Sequence, residues 1–330
     1  MTNVQIRRPT EAADTVLLMP QKWITANIPP QQNRRVLITG ANSGIGFHTA
    51  LELARAGAEI ILPARSEAKS AEAIARIRAE VPNASLIPET LDLADLTSVK
   101  AFATRIAGRF PGQSLDLLIN NAGVMAIPKR ELTPDGHERH FATNHLGHFA
   151  LTALLYPHLK QQPGTRIVTV TSSITNYATL RFDNLQSERH YRPMSQAYGQ
   201  SKVANSLFAL ELQRRLTAAN SPIISTAAHP GYAVTNLQVT GPGESFSLVK
   251  VGIFLLQPML SQPAAAGALP TLMAAVDPTA APGSYYGPNG FFQLVGDPAP
   301  TRIPRSAKNP AKAQRLWQVS EQLTGIPFNL

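Results

Sequence analysis

Short runs of β-branched and aliphatic residues alternate along this chain with longer stretches whose apolar positions recur at helical spacing. Arg34-Arg35 lead into Val-Leu-Ile-Thr-Gly, which predicts a strand closed by glycine. An amphipathic helix follows from Gly44 to Gly57, where glycine again supplies the stop. Residues 58–62 read as a second strand, 67–81 as a helix ended by Pro82, and 85–91 as a third strand. Next come a helix over roughly 97–110, a strongly apolar strand at 115–120, a long helix over roughly 137–160 and a strand at 166–172. After an irregular stretch to about 195, a helix over 197–220 and a strand over 222–229 complete the series.

Such alternation with short connections predicts an α/β fold: a single doubly wound parallel sheet with helices on both faces. Ligands of such sheets bind at the carboxyl ends of the strands, near the point where strand order reverses. Residues 1–22 read as a loosely ordered extension and 23–330 as one domain, with 230–330 a substrate-side extension of the same unit. No internal repeat occurs. The longest uncharged run, Val251 to Val276, is interrupted by Pro258, Pro263 and Pro270, which predicts two short helices over a pocket in place of one spanning helix. Arg7-Arg8 is followed only by the short run Val16–Met19, too brief for a signal segment, so a cytoplasmic protein without membrane contact is expected.

Composition narrows the chemistry. Hydrophobic residues make up 44% of the chain and charged ones 15%, enough apolar surface for a real core. The absence of cysteine excludes a disulfide scaffold, thiolate metal sites and a thiol nucleophile. Over half of the net charge of +9 sits in one acid-free stretch holding Arg302, Arg305, Lys308, Lys312 and Arg315. This reads as a solvated basic segment, and no nucleic-acid partner is expected.

Residues 39–46, Thr-Gly-Ala-Asn-Ser-Gly-Ile-Gly, join the first strand to the first helix. Gly40 permits the tight turn, Gly44 lets the backbone approach a pyrophosphate, and Gly46 lets helix and sheet pack closely, so the unit is of Rossmann type. Backbone N–H groups around Asn42, Ser43 and Ile45 would face the anion at the helix N-terminus. An acid about 20 residues on would select NAD. Ala64 stands there instead, followed by Arg65, whose guanidinium suits a 2′-phosphate; with Lys69 as a weaker helper, the predicted cofactor is NADP(H). Tyr198 and Lys202 lie four residues apart on one helix face, where an ammonium can stabilise a phenolate. Tyr156 and Lys160 repeat that spacing at a helix end beside Pro157 and read as structural.

In order along the chain, the glycine turn, Asn120-Asn121-Ala122-Gly123, Asn144, Ser172-Ser173, Tyr198 with Lys202, and His229-Pro230-Gly231 resemble the short-chain dehydrogenase/reductase family over roughly residues 34–240. Residues 141–149, 182–191 and 197–212, and the long gap from Ser172 to Tyr198, are most similar to its retinol-dehydrogenase-like and WW-domain-oxidoreductase-like branch. The resemblance implies that Asn120, Ala122 and Gly123 wall the cofactor cleft and that Asp92, beside Leu93, holds the adenine. It implies that Thr235, past Pro230-Gly231, contacts the nicotinamide amide or the phosphates, and that Asn144 holds a water leading from Lys202 to solvent. Ser172 would hold the substrate oxygen; where relatives commonly read Val-Ser-Ser this chain reads Val-Thr-Ser-Ser, which keeps Ser173 open as the alternative.

The expected activity is hydride transfer between NADP(H) and an apolar alcohol or carbonyl, with Tyr198 as general acid/base. Met125, Ile127, Tyr177, Met194, Tyr232 and Phe246 are expected to line an apolar substrate pocket. Two alternatives differ in class. Reduction of a C=C bond, as in the light-dependent protochlorophyllide reductases, relies on a cysteine that this chain lacks; a non-catalytic NADP sensor or scaffold would usually lack the tyrosine or lysine that it keeps. His145 and His148 read as a packed helix face with no metal, and His229 as part of a strand-to-loop corner. Tyr285-Tyr286 and Phe291-Phe292 read as core beneath a loop, and a homodimer or homotetramer is expected.

Overall fold

Residues 22–234 and 261–330 are described by the computed structural model. Six strands form where the apolar runs predict them: β1 (Arg35–Ile38), β2 (Glu59–Ala64), β3 (Leu86–Thr90), β4 (Leu117–Asn120), β5 (Arg166–Val170) and β6 (Ile224–Ala228). Between them lie α1 (Gly44–Arg55), α2 (Glu67–Glu80) and α3 (Leu96–Arg109), then α4 (Arg139–Phe141), a π-helical turn (Ala142–Leu146) and α5 (Gly147–Leu155), and finally α6 (Gly199–Ala218). Past β6, Ala233–Val234 (β7) pairs with Gln262–Pro263 (β8), and α7 (Ala264–Val276), β9 (Tyr285–Pro288), β10 (Pro298–Pro300) and α8 (Pro310–Thr324) follow.

The main sheet runs β3-β2-β1-β4-β5-β6-β9-β10, parallel through β9, with β10 antiparallel at the edge. Order reverses between β1 and β4, which opens a crevice at their carboxyl ends. The period-2 alternation of the strands divides the core between two faces. Val36, Ile38, Ile60, Leu117, Ile119 and Val168 pack with α1, α2 and α7. Leu37, Ile61, Leu118 and Ile167 pack with α3, α5, α6 and α8, where Phe149, Phe208, Trp317 and Phe328 form an aromatic cluster.

Several elements differ from the sequence reading. Tyr285 and Tyr286 are buried in β9, a strand of the main sheet, so the segment read as core beneath a loop lengthens the sheet. Phe291 and Phe292, read with them as core, are 63% and 68% exposed in a turn between β9 and β10. The helix predicted over 137–160 is broken by the π-helical turn at Ala142–Leu146. Pro270 lies inside α7 without ending it, at the loss of one intrahelical hydrogen bond; residues 251–260 of that apolar run lie outside the described residues. Lys22, assigned to the N-terminal extension, pairs with Asp297 at 2.7 Å, and residues 1–21 lie outside the described residues. Among the described residues no helix is long and apolar enough to cross a membrane.

Candidate active site

At the reversal point a cleft of about 550 Å³ opens at the carboxyl ends of the strands. Gly40, Asn42, Ser43, Gly44, Ile45 and Gly46 line one side. Gly40 (φ 68°) and Gly44 (φ 55°) take left-handed backbone that a side chain would strain. A Cβ at Gly46 would sit 2.4 Å from the Gly40 carbonyl oxygen, so glycine is what lets α1 close onto the turn. Ser43 is extended and makes no side-chain cap, which leaves the first-turn N–H groups of α1 for an anion. Arg65, just beyond the end of β2, and Lys69 on α2 line the same cleft as exposed cations that pair with no carboxylate among the described residues. Asp92 and Leu93 follow β3 there, and the Asp92 carboxylate is fixed by the Ala94 N–H at 2.9 Å.

The chemistry-bearing side chains come from β5 and the start of α6. Tyr198 closes a π-helical turn (Pro193–Tyr198) and lies partly buried in the cleft wall. Ser172 hydrogen-bonds the Tyr198 phenol and also caps the short turn at Ser173–Asn176. Burial raises the Tyr198 pKa above its ordinary value, and the Ser172 hydrogen bond pulls it the other way. Lys202 is buried, donates to the Val170 carbonyl at 3.1 Å, and is pushed down to about 8 by desolvation. A Cβ at Gly123 would lie 3.5 Å from Lys202 Nζ and 3.1 Å from Asn144 Oδ1, so glycine keeps this floor open.

Asn144 lies beneath the cleft, within the π-helical turn. Its Oδ1 accepts from the Val124 N–H at 2.7 Å, and its Nδ2 donates to the Val124 carbonyl at 3.0 Å and Ser201 Oγ at 2.9 Å. His148 Nδ1 donates to the Asn144 carbonyl at 2.9 Å. Burial drives His148 down to about 4, so its neutral ring presents Nε2 as an acceptor to Thr39 Oγ1 at 2.9 Å. That hydroxyl in turn accepts from the Asn121 and Ala122 N–H groups at 2.9 and 3.0 Å. One chain of hydrogen bonds therefore ties β1, the end of β4 and the π-helical turn together.

Most of the residues read from sequence meet here: Ala122, Gly123, Pro230, Tyr198 and Lys202 line the cleft with the glycine turn, Arg65, Asp92 and Leu93. Asn120 does not. It is fully buried behind the wall and donates to Thr152 at 2.9 Å; Asn121, one residue on and past the end of β4, faces the cleft instead. Gly231 (φ 67°) does not line the cleft either; the Leu294 backbone lies where its Cβ would be, so a side chain would not fit there. Thr235 and Phe246 lie outside the described residues. Of the other expected pocket residues, Met125 and Ile127 line the cleft; Tyr177 is 80% and Met194 40% exposed, and Tyr232 is away from it. His229 packs against Gly287, accepts from the Gly231 N–H at 3.3 Å, and is driven down to about 4 by burial, so it has no part in the cleft. Tyr156 and Lys160 lie at the opposite end of the sheet, with Lys160 on Asp116 at 2.9 Å. No metal-ligand cluster occurs among the described residues. Thr39 was the residue missed; a threonine ahead of the glycine turn carries no pattern that marks it as a buried hub.

A family model described as short chain dehydrogenase matches residues 34–242. Retinol dehydrogenase 12 of Mus musculus is 37% identical over 295 residues, covering 89% of this chain and 87% of its own. A crystal structure of an uncharacterized protein from Mycobacterium paratuberculosis superposes with a TM-score of 0.76 at 40% identity, covering 94% of this chain and 100% of that one. A short chain dehydrogenase from Burkholderia cenocepacia J2315, solved in complex with NADP, shares the fold at a TM-score of 0.59 and 24% identity, covering 78% of this chain and 96% of that one.

Proposed function

Because the chain belongs to the short-chain dehydrogenase family, we propose that it is an NADP(H)-dependent oxidoreductase interconverting an apolar alcohol and its carbonyl, with Tyr198 as general acid/base. The observation that carries this reading is the Tyr198 phenol bonded to Ser172, with the buried Lys202 amine 6.0 Å from the Tyr198 ring centre, Tyr198 and Lys202 both lining the cleft that holds the glycine turn. The cleft fits a dinucleotide on its own terms: an uncapped helix N-terminus beside Gly44, a floor that a Cβ at Gly123 would fill, and two exposed cations where an acid would have selected NAD. Arg65 and Lys69 would hold the 2′-phosphate, and Asp92 the adenine end.

Bound there, the nicotinamide cofactor supplies or takes the hydride. Tyr198 carries the proton. In reduction, the phenol donates its proton to the substrate oxygen as that oxygen gains negative charge; in oxidation, the phenolate takes the proton from the alcohol. Ser172 holds the same oxygen and stabilises the phenolate through its hydrogen bond. Lys202, whose Nζ lies 6.0 Å from the centre of the Tyr198 ring, would as an ammonium favour the phenolate over the phenol. Asn144, beneath Lys202, would anchor the water that returns the proton to solvent. The substrate's apolar body is supported by Met125 and Ile127 in the wall and by relatives named for retinol.

A panel of carbonyls with NADPH and alcohols with NADP, followed by nicotinamide absorbance, tests the reading. Turnover is expected on apolar members, with Tyr198→Phe lowering kcat by about 10²–10⁴ while NADPH affinity stays within a few-fold. Binding of NADPH without turnover on any substrate would count against it.

A further inference from the structure

The loop from Val124 to Pro128 forms part of the cleft wall, and its middle residue is held in an unusual conformation. Ala126, buried and not glycine, has φ 57°. Such backbone persists only where the surroundings over-determine it. Asn144 takes both the N–H and the C=O of Val124 at one end. The other end has its own pair of partners: the Ile127 N–H donates to His140 Nε2 at 3.3 Å, and the Tyr191 hydroxyl donates to the Ile127 carbonyl at 2.8 Å.

His140 is itself held. Its Nε2 is occupied as an acceptor, so Nδ1 carries the hydrogen and donates to Glu138 Oε1 at 2.8 Å. Glu138 is fully buried and also accepts the backbone N–H groups of His140 and Phe141 at 3.0 and 2.8 Å, while its own N–H donates to Gln186 Oε1 at 2.7 Å. Burial, with the carboxylates of Glu138 and Glu131, pushes Tyr191 up to about 12, so its phenol keeps the proton it donates. The His140 ring stands edge-on to Tyr198, with centroids 6.3 Å apart. None of Glu138, His140 and Tyr191 lines the cleft; they reach it through their hydrogen bonds to Ile127 and through the His140 ring beside Tyr198.

We propose that Tyr191 and the buried Glu138–His140 pair are positioning residues that hold the Ile127 wall against the catalytic tyrosine and thereby set which carbonyl substrates the cleft accepts. The proposal rests on the oxidoreductase reading above and deepens it. A buried carboxylate–imidazole pair that, with Tyr191, holds both the N–H and the C=O of Ile127 explains why a strained alanine is tolerated beside it.

The test measures kcat/KM for a short and a long straight-chain aldehyde in the wild type, Tyr191→Phe, His140→Leu and His140→Gln, with amide hydrogen exchange of the segment 124–128. Loss of one hydrogen bond to the wall is expected to change the long-to-short ratio about fivefold in Tyr191→Phe and more in His140→Leu. His140→Gln, which can still accept from Ile127, should return towards the wild-type ratio. NADPH affinity stays within about twofold throughout, and exchange of the segment speeds up in Tyr191→Phe and His140→Leu. An unchanged ratio in Tyr191→Phe and His140→Leu, or an equal loss on both aldehydes with unchanged exchange, overturns the proposal. If His140→Leu does not fold, Tyr191→Phe carries the test, since it loses only a hydroxyl. A wild type that reduces neither aldehyde sinks the oxidoreductase reading and the specificity with it, whereas exchange in the variants still reports separately whether Ile127 is held.

Discussion

Lys160 and Lys202 each stand four residues after a tyrosine, yet their surroundings give them opposite chemistry. Lys160 is neutralised by Asp116, with Nζ 3.0 and 2.9 Å from the two carboxylate oxygens, and Tyr156 packs into the aromatic core against Phe328. Among the described residues Lys202 pairs with no carboxylate and its amine donates to the Val170 carbonyl, and burial lowers it to about 8. Tyr156→Phe should therefore leave turnover within about twofold, while costing about 0.5–1.5 kcal/mol of stability at most, since among the described residues its hydroxyl makes a long 3.4 Å contact to Ser221. Matched kinetics and thermal melts against Tyr198→Phe check this, and a dead Tyr156→Phe would contradict it. Arg65 is the other residue whose role depends on setting. It is exposed at the rim and pairs with no carboxylate among the described residues, so Arg65→Ala should leave the fold untouched and weaken NADPH roughly tenfold or more relative to NADH. Comparing the thermal shifts produced by the two cofactors in both proteins measures it; equal shifts in the wild type would remove the assignment of Arg65.

At the scale of elements, the π-helical turn at Ala142–Leu146 is the joint on which the cleft floor depends. It delivers Asn144 to Val124 and the Asn144 carbonyl to His148, whose ring then fixes Thr39 between β1 and β4. Thr39→Val keeps the shape but strands two backbone N–H groups and one imidazole nitrogen, so it should cost about 2–4 kcal/mol of stability and weaken NADPH binding together. Denaturant titrations with and without NADPH read both; loss of stability with unchanged binding would separate the hub from the cleft. This joint shows where the sequence stops being legible. Hydrophobic periodicity over 137–160 is satisfied equally by an unbroken helix, because every residue of the turn is buried and the break is made by hydrogen bonds of Asn144 and His148, which leave no period. Strands β1, β2, β4, β5 and β6 were legible because both of their faces are covered and they read as largely apolar runs, whereas β3 is the sheet edge and half-exposed towards its end. Strand β10 was not, because Pro298 and Pro300 suit only an edge, and β9 was hidden by its Gly-Pro end. Within the site, glycines and charges could be placed by spacing, but a shift of one residue at the end of β4 exchanged Asn120 for Asn121 in the wall.

At the scale of the whole molecule, three buried imidazoles stay neutral near pH 7 while the chain is folded. His145 packs among Phe141, Phe149 and Phe208 and is driven down to about 3; His148 and His229 are each driven down to about 4, in every case chiefly by burial. In the unfolded chain each would titrate near ~6.5. Between that value and the folded ones the unfolded state binds more protons, so stability is complete above about 6.5 and is lost as the pH falls towards 4 and then 3. Each imidazole should withdraw about 2 kcal/mol by pH 5, and the three together remove a large share of a typical stability of ~5–15 kcal/mol. The protein should therefore weaken on acidification before its carboxylates begin to titrate. Denaturant midpoints at pH 7 and pH 5 measure the effect. His145→Gln, which can keep a hydrogen bond to Ser320 without titrating, should recover about one third of the loss. A wild-type stability that is the same at both pH values would mean that these imidazoles take up no protons on unfolding.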